Sequence, residues 1–184
     1  MAHRNVLMKE RAKKIKMIIM DVDGTLTDGS LFLLPDGEEV KSYNVKDGLG
    51  ILLAHLEGLY TGIITGKTSK ALEKRAEKLK ITDLYQGVWD KKAILCEIME
   101  KRGLEPDQIA YIGDDLGDLE VIKSVGLAAA VADAHPEVKR QCHFICSLSG
   151  GKGAVREFIE FILKSQGKWK SIEEKVKSIY KGKE

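Results

Sequence analysis

Short apolar runs alternate with amphipathic stretches along this 184-residue chain, and that alternation leaves few architectures open. Lys16-Met-Ile-Ile-Met20, Tyr60-Thr-Gly-Ile-Ile-Thr65, Ile109-Ala-Tyr-Ile-Gly113 and Leu127-Ala-Ala-Ala-Val131 read as buried strands, with Phe144-Ile-Cys146 as a short edge candidate. Helical patterns fill the gaps at 49–56, 69–79, 91–102, 116–124 and 154–163; in the second of these Leu72, Ala76 and Leu79 share one face. Strands separated by helices need crossover connections, which build a parallel sheet. The expected fold is therefore α/β, a doubly wound, Rossmann-like parallel sheet with helices on both faces. It occupies residues 15–164, between a basic N-terminal extension (1–14) and a basic C-terminal tail (165–184).

One segment breaks the alternation. Gly29 to Tyr43 contains two short apolar stretches around Pro35-Asp36-Gly37, a strong turn signal, and predicts a β-hairpin inserted after the first strand. A lone hairpin is marginal in water, and Leu31, Phe32, Leu33 and Leu34 are apolar. The hairpin is thus expected to pack against another subunit, with folding back on its own core as the alternative.

Charge narrows the partners. Thirty Lys and Arg nearly balance twenty-eight Asp and Glu, but residues 1–16 carry six basic groups against one acid, and 164–184 seven against three, so the body is acidic. The ends read as solvated tails, because neither an arginine-rich groove nor an aromatic ladder accompanies them; no nucleic acid is expected. No apolar run reaches the roughly 18–20 residues of a membrane span, and the first residues lack the apolar core of a secretory signal. Cys96, Cys142 and Cys146 are too few and wrongly spaced for a zinc site or a disulfide framework, which points to reduced, cytoplasmic thiols.

Ligands of such sheets bind beyond the carboxyl ends of the strands, near the point where strand order reverses. The first strand runs into Asp21-Val-Asp23-Gly-Thr-Leu-Thr-Asp28, the second into Thr65-Gly66-Lys67, and the third into Gly113-Asp114-Asp115-Leu-Gly-Asp118; Lys91 opens a helix after Trp89-Asp90. Asp21 and Asp23, one residue apart at a strand end, can share a pocket with Asp114. Clustered carboxylates repel unless a cation neutralises them, and oxygen-only ligands with room for water suit Mg²⁺. Beside a lysine and a hydroxyl, that set is fit for phosphoryl chemistry: Lys91 and Thr65 hold phosphate, Asp21 attacks phosphorus, and Asp23 passes the proton. Gly24 lets the backbone turn away. A calcium loop would need further oxygen ligands, which Leu26 and Leu31–Leu34 do not supply.

In that order these motifs resemble the haloacid dehalogenase-like phosphatase superfamily. Tyr43-Asn-Val-Lys-Asp-Gly-Leu-Gly-Ile51, Leu84-Tyr-Gln-Gly87, Val131-Ala-Asp-Ala-His-Pro136 and Gly150-Gly-Lys-Gly-Ala-Val-Arg-Glu157 extend the likeness over residues 15–168, into its cap-less branch. The resemblance implies Mg²⁺-dependent hydrolysis of 3-deoxy-D-manno-octulosonate 8-phosphate to the free sugar acid and phosphate, in lipopolysaccharide biosynthesis. It implies a homotetramer joined through the hairpins, with the C-terminal tail reaching a neighbour's active site. Residue by residue it makes Asp21 nucleophile and metal ligand, Asp23 acid/base and metal ligand through its carbonyl, and Asp114 the third ligand, with Asp115 and Asp118 behind them. Thr65 and Lys91 hold phosphate, while Asp23, Asn44, Val45, Lys46, Asp47, Gly48, Gly66, Lys67, Arg75 and Lys91 face substrate. Without a cap domain, a neighbouring subunit is the candidate for excluding water from the acyl-phosphate. Two positions depart from the pattern: Lys67 stands where arginine is usual, and Leu52 where a basic residue is common. A phosphate of a nine-carbon keto-deoxy sugar, or another small phosphosugar, is the alternative substrate. A non-hydrolytic receiver-like or assembly module is the alternative class, although receivers carry an adjacent acidic pair after strand one.

Overall fold

The apolar run at 17–20 becomes the central strand, with every side chain fully buried. A computed structural model describes the backbone of residues 2–181 and the side chains of residues 5–177. In chain order the elements are α1 (Ala2–Lys14), β1 (Met17–Met20), β2 (Phe32–Leu33), β3 (Glu39–Val40), α2 (Val45–Leu56), β4 (Tyr60–Ile64), α3 (Lys70–Leu79), β5 (Asp83–Tyr85), α4 (Lys91–Arg102), β6 (Ile109–Gly113), α5 (Leu119–Ile122), β7 (Leu127–Ala130), α6 (Pro136–Gln141), β8 (Phe144–Ile145), α7 (Ala154–Ser165) and α8 (Trp169–Lys181).

Six strands form one parallel sheet in the order β5-β4-β1-β6-β7-β8. The chain steps outward from β1 to β4 and β5, then crosses back to β6 on the other side of β1. The reversal opens a crevice at the carboxyl end of β1. Met17, Ile18, Ile19 and Met20 meet Ile63, Ile64, Ile109, Tyr111 and Ile112 in the core beneath it. Burying each side chain of that size contributes about 1.5–3 kcal/mol. The helices present the faces the sequence predicts: Leu72, Ala76 and Leu79 of α3 are buried, with Ser69 as N-cap and Lys80 in the left-handed conformation as C-cap.

Some elements differ from expectation. β5 escapes periodicity because it is three residues long and begins with Asp83, a buried carboxylate neutralised by Lys101 and Arg102. The six-residue helix α6 is opened by Pro136. The basic ends, expected as solvated tails, are helical: α1 leads Ala12 and Ile15 into the core, and α8 buries Ile172. Lys168 and Lys175 tie the second of these ends to the carbonyls of Glu57 and Leu56. Charged faces kept in solvent and a few apolar residues turned inward explain both ends. The last three positions of the C-terminal tail, 182–184, lie outside the described residues.

The hairpin forms where it is predicted. β2 and β3 pair antiparallel, Phe32 opposite Val40 and Leu33 opposite Glu39, as a sheet separate from the main one. Gly37, at φ +85°, closes its turn. Leu31, Phe32 and Leu33 stay 55%, 60% and 67% exposed, so the hairpin does not fold its apolar tip onto its own core.

Candidate active site

Four strand ends deliver the site. Asp21 follows β1, and its backbone N–H donates to Ile112 O (3.0 Å), locking it beside β6. Thr65 follows β4 and is buried; its carbonyl accepts from Val88 N (3.0 Å), which draws in the loop after β5. Asp90 caps α4 by accepting from Ala93 N (3.0 Å), so Lys91 stands at the first turn of the helix, facing the crevice. Asp114 follows β6, and Thr25 Oγ1 donates to its Oδ1 (3.0 Å).

Lys91 is the hub. Its Nζ donates to Asp21 Oδ1 at 2.6 Å and to Asp118 Oδ1 at 2.7 Å. The fully buried Tyr111 hydroxyl donates to Asp118 Oδ1 at 2.6 Å, and the backbone N–H groups of Asp114 and Asp115 donate to Asp118 Oδ2 at 3.0 and 3.3 Å. Both oxygens of Asp118 are therefore committed to holding Lys91 and the Asp114 loop. Asp115 accepts from Leu116 N and is exposed.

Electrostatics press on this cluster. Burial, reinforced by Asp118 and opposed by Lys91, pushes the Asp21 carboxyl up to about 6. Burial, then Asp21 and Asp118, push Asp114 up to about 8. Burial alone would lower the Lys91 ammonium, but Asp21 and Asp118 override it and hold it above the usual lysine value. Carboxylate oxygens of Asp21, Asp114 and Asp118 lie within 4.8 Å of one another. A single lysine leaves such a set short of positive charge, and the donors are hard oxygens, so the residues fit a magnesium-sized dication. Because Asp118 is saturated, Asp21 and Asp114 are the side chains suited to hold it.

The structure divides the sequence-predicted residues into two groups. Asp21, Asp23, Thr65, Gly66, Lys67, Lys91, Asp114, Asp115 and Asp118 line one cleft of about 290 Å³. Asn44, Asp47, Gly48 and Arg75 instead line a separate cavity of about 10 Å³. Asn44 caps α2 by accepting from Lys46 N (2.8 Å), and its Nδ2 donates to Gly151 O (3.0 Å). Asp47 is 1% exposed, with Oδ1 accepting from Arg156 N (2.8 Å). Val45 and Lys46 point outward. Lys67 Nζ donates to both oxygens of Glu39, at 3.2 and 3.3 Å, joining the Thr-Gly turn to the hairpin.

Three residues escaped the sequence reading as site residues. Lys41, at the end of the hairpin, has an almost wholly buried side chain and donates to Asp23 Oδ1. Tyr111 was legible only as a strand residue, although a tyrosine inside an apolar strand signals a buried hydroxyl in need of a partner. Trp89, 95% exposed, lines the mouth of the cleft. Two glycines keep the loops together. A Cβ at Gly24 (φ +94°) would lie 2.1 Å from Asp114 Oδ2, and one at Gly150 would lie 1.7 Å from Gly24 O.

The comparisons with known proteins agree with this geometry. The family model for haloacid dehalogenase-like hydrolases matches residues 77–159. The 3-deoxy-D-manno-octulosonate 8-phosphate phosphatase of Escherichia coli K12 is 43% identical over 158 residues, 86% of this chain and 84% of the relative. The crystal structure of the Yersinia pestis phosphatase of the same name superposes with a TM-score of 0.87, at 44% identity, covering 88% of each chain. The Moraxella catarrhalis phosphatase, solved in complex with magnesium ion, phosphate ion and a KDO molecule, superposes with a TM-score of 0.90 at 37% identity, covering 94% of this chain and 98% of that one. With the four motifs at one sheet edge and relatives this similar over most of its length, the chain belongs to the haloacid dehalogenase-like hydrolases, in the family of the 3-deoxy-D-manno-octulosonate 8-phosphate phosphatases.

Proposed function

We infer that the protein is a Mg²⁺-dependent phosphomonoesterase that hydrolyses 3-deoxy-D-manno-octulosonate 8-phosphate to 3-deoxy-D-manno-octulosonate and phosphate, a step of lipopolysaccharide biosynthesis. The observation that carries this reading is the Asp21–Lys91 pair at the floor of an open cleft, with Asp114 alongside and a sugar-acid phosphatase family around it.

Asp21 and Asp114, with the backbone carbonyl of Asp23, would hold the ion, which when bound neutralises charge on the phosphoryl oxygens. Lys91 fixes Asp21 Oδ1, so the other oxygen attacks phosphorus and the sugar's bridging oxygen leaves. Asp23 gives that oxygen its proton, then takes one from the water that cleaves the aspartyl-phosphate. The Thr65 hydroxyl, the backbone N–H groups of Gly66 and Lys67 and the first turn of α4 bind the equatorial oxygens. Gly66 and Lys67 line the sugar side of the cleft.

The same reading includes a homo-oligomer, a tetramer, joined through the hairpins. Its support is the exposed apolar series Leu31, Phe32, Leu33, Leu34 and Val40, a patch unusual on a monomer's surface. Sedimentation of a variant carrying Leu31→Ser, Phe32→Ser and Leu33→Ser is expected to show smaller particles than wild type; an unchanged assembly counts against the hairpin interface. Free thiols at Cys96, Cys142 and Cys146 support a reducing, cytoplasmic setting, and no described helix is long and apolar enough to cross a membrane.

Phosphate release from a panel of sugar-acid phosphates, with and without Mg²⁺, tests the function. The eight-carbon substrate should be preferred. Preference for a nine-carbon keto-deoxy sugar phosphate would move the substrate assignment, and preference for a nucleotide or peptide phosphate would remove it. Asp23→Asn should abolish turnover, and full turnover in that variant would discard the acid/base role.

A further inference from the structure

Three residues that line one small cavity, separate from the cleft, each carry a buried polar atom without a partner. The Tyr43 hydroxyl, Asp47 Oδ2 and Arg75 Nε have no hydrogen-bond partner within the protein. All three residues line the same cavity of about 10 Å³, whose remaining wall includes Leu26, Ile51 and Leu72. Asp47 is 1% exposed, and its other oxygen is already taken by Arg156 N. Each unpaired polar atom in such a place costs about 1–3 kcal/mol. Three of them around one apolar-walled space call for a shared partner.

Size and chemistry identify that partner. A cavity needs roughly 10–15 Å³ of this measure to hold one water, and a buried water makes about three hydrogen bonds. The Arg75 Nε–H only donates, a carboxylate oxygen accepts, and the tyrosine hydroxyl does either. A water accepts from Arg75, donates to Asp47 and exchanges its third bond with Tyr43, leaving all three satisfied. Gly48 makes room for the arrangement: a Cβ there would lie 2.3 Å from Arg75 Nη2.

We propose that one internal water bridges Tyr43, Asp47 and Arg75, and that this bridge sets the position of the segment 43–48. The bridge joins the base of the hairpin, the first turn of α2 and the middle of α3. Tyr43 and Arg75 act through that water as positioning residues for this segment, which the family resemblance sets on the substrate side although none of its residues lines the cleft. The positioning half rests on the phosphatase reading above; the water itself does not.

Two experiments separate them. A crystal structure of the wild-type protein without substrate, at a resolution that orders internal water, should show one water within hydrogen-bond distance of all three atoms. A direct Arg75–Asp47 contact that closes the cavity, or an empty cavity, overturns the proposal whatever the enzyme hydrolyses. Tyr43→Phe keeps the ring and deletes one partner. It should raise KM for the sugar-acid phosphate about five-fold, as loss of one hydrogen bond implies, while kcat and hydrolysis of p-nitrophenyl phosphate stay within about two-fold. An equal loss on both substrates, or an unchanged KM, overturns the positioning role. If that variant does not fold, Arg75→Met tests the same point and should likewise raise KM for the sugar-acid phosphate.

Discussion

The ammonium of Lys41, carried at the end of the inserted hairpin, donates to Asp23 Oδ1, and the lysine side chain is 4% exposed. The hairpin is thus tied to the residue assigned the proton transfers, and Lys67–Glu39 makes a second tie to the Thr-Gly turn. Lys41→Met removes the partner that orients Asp23. We expect kcat to fall about ten-fold or more, within the about 10²–10⁴-fold worth of a general acid/base. Steady-state kinetics on the purified variant check this; an unchanged kcat would leave the ion pair without a catalytic consequence.

Asp118 touches neither side of the reacting bond in the proposed chemistry, yet it receives Lys91, Tyr111 and two backbone N–H groups. Asp118→Asn turns an amide donor toward at least one of those donors. The expected result is weaker Mg²⁺ binding by calorimetry and a kcat reduced about 10–100-fold, as for partners that orient metal ligands. Tyr111→Phe, which deletes one bond of the set, should be milder on both measures.

Gly150 packs its Cα against the carbonyl of Gly24, so Gly150→Ala forces one backbone from the other. Overpacking of this kind costs about 1–3 kcal/mol. Thermal denaturation should show the loss, and activity should fall further than stability alone explains, because the displaced loop carries Asp23.

The Asp83 carboxylate predicts a pH signature away from the active site. Burial alone would raise it, but hydrogen bonds from Lys101, Arg102 and Thr82 outweigh burial and hold it below the usual carboxylate value of 3.8. A group depressed in the folded state adds stability above its unfolded value, and that contribution disappears as pH falls through the folded value. Asp83→Asn should therefore cost about 1–3 kcal/mol at neutral pH, by loss of charged hydrogen bonds. The gap to wild type should narrow below pH 3.8. Denaturant titrations at several pH values measure it; a gap that stays constant into acid would show that packing, not charge, sets the effect.

Much of this architecture could be read from residue order. Met17–Met20 and Ile63–Ile64 are apolar, and Ile109–Gly113 is fully buried, because both faces of a parallel sheet are covered, and strand ends placed Asp21, Thr65 and Asp114 at one edge. What stayed hidden depends on tertiary neighbours. β5 begins with a charge that the distant Lys101 and Arg102, with the neighbouring Thr82, make tolerable. Lys41 reads as surface charge until the hairpin folds over Asp23. Asn44 and Asp47 lie in a motif that resembles a substrate loop, but their side chains cap α2 and anchor Arg156. Spacing along the chain cannot distinguish a residue that touches a ligand from one that holds the segment doing so.

Rapid-quench trapping of the phosphoryl group, followed by peptide mapping, tests the central claim most directly. With Mg²⁺ and the eight-carbon sugar-acid phosphate, the label should appear on Asp21, and it should be absent in excess chelator and in Asp21→Asn. Label on any other residue, or phosphate release undiminished by the chelator, would contradict the account.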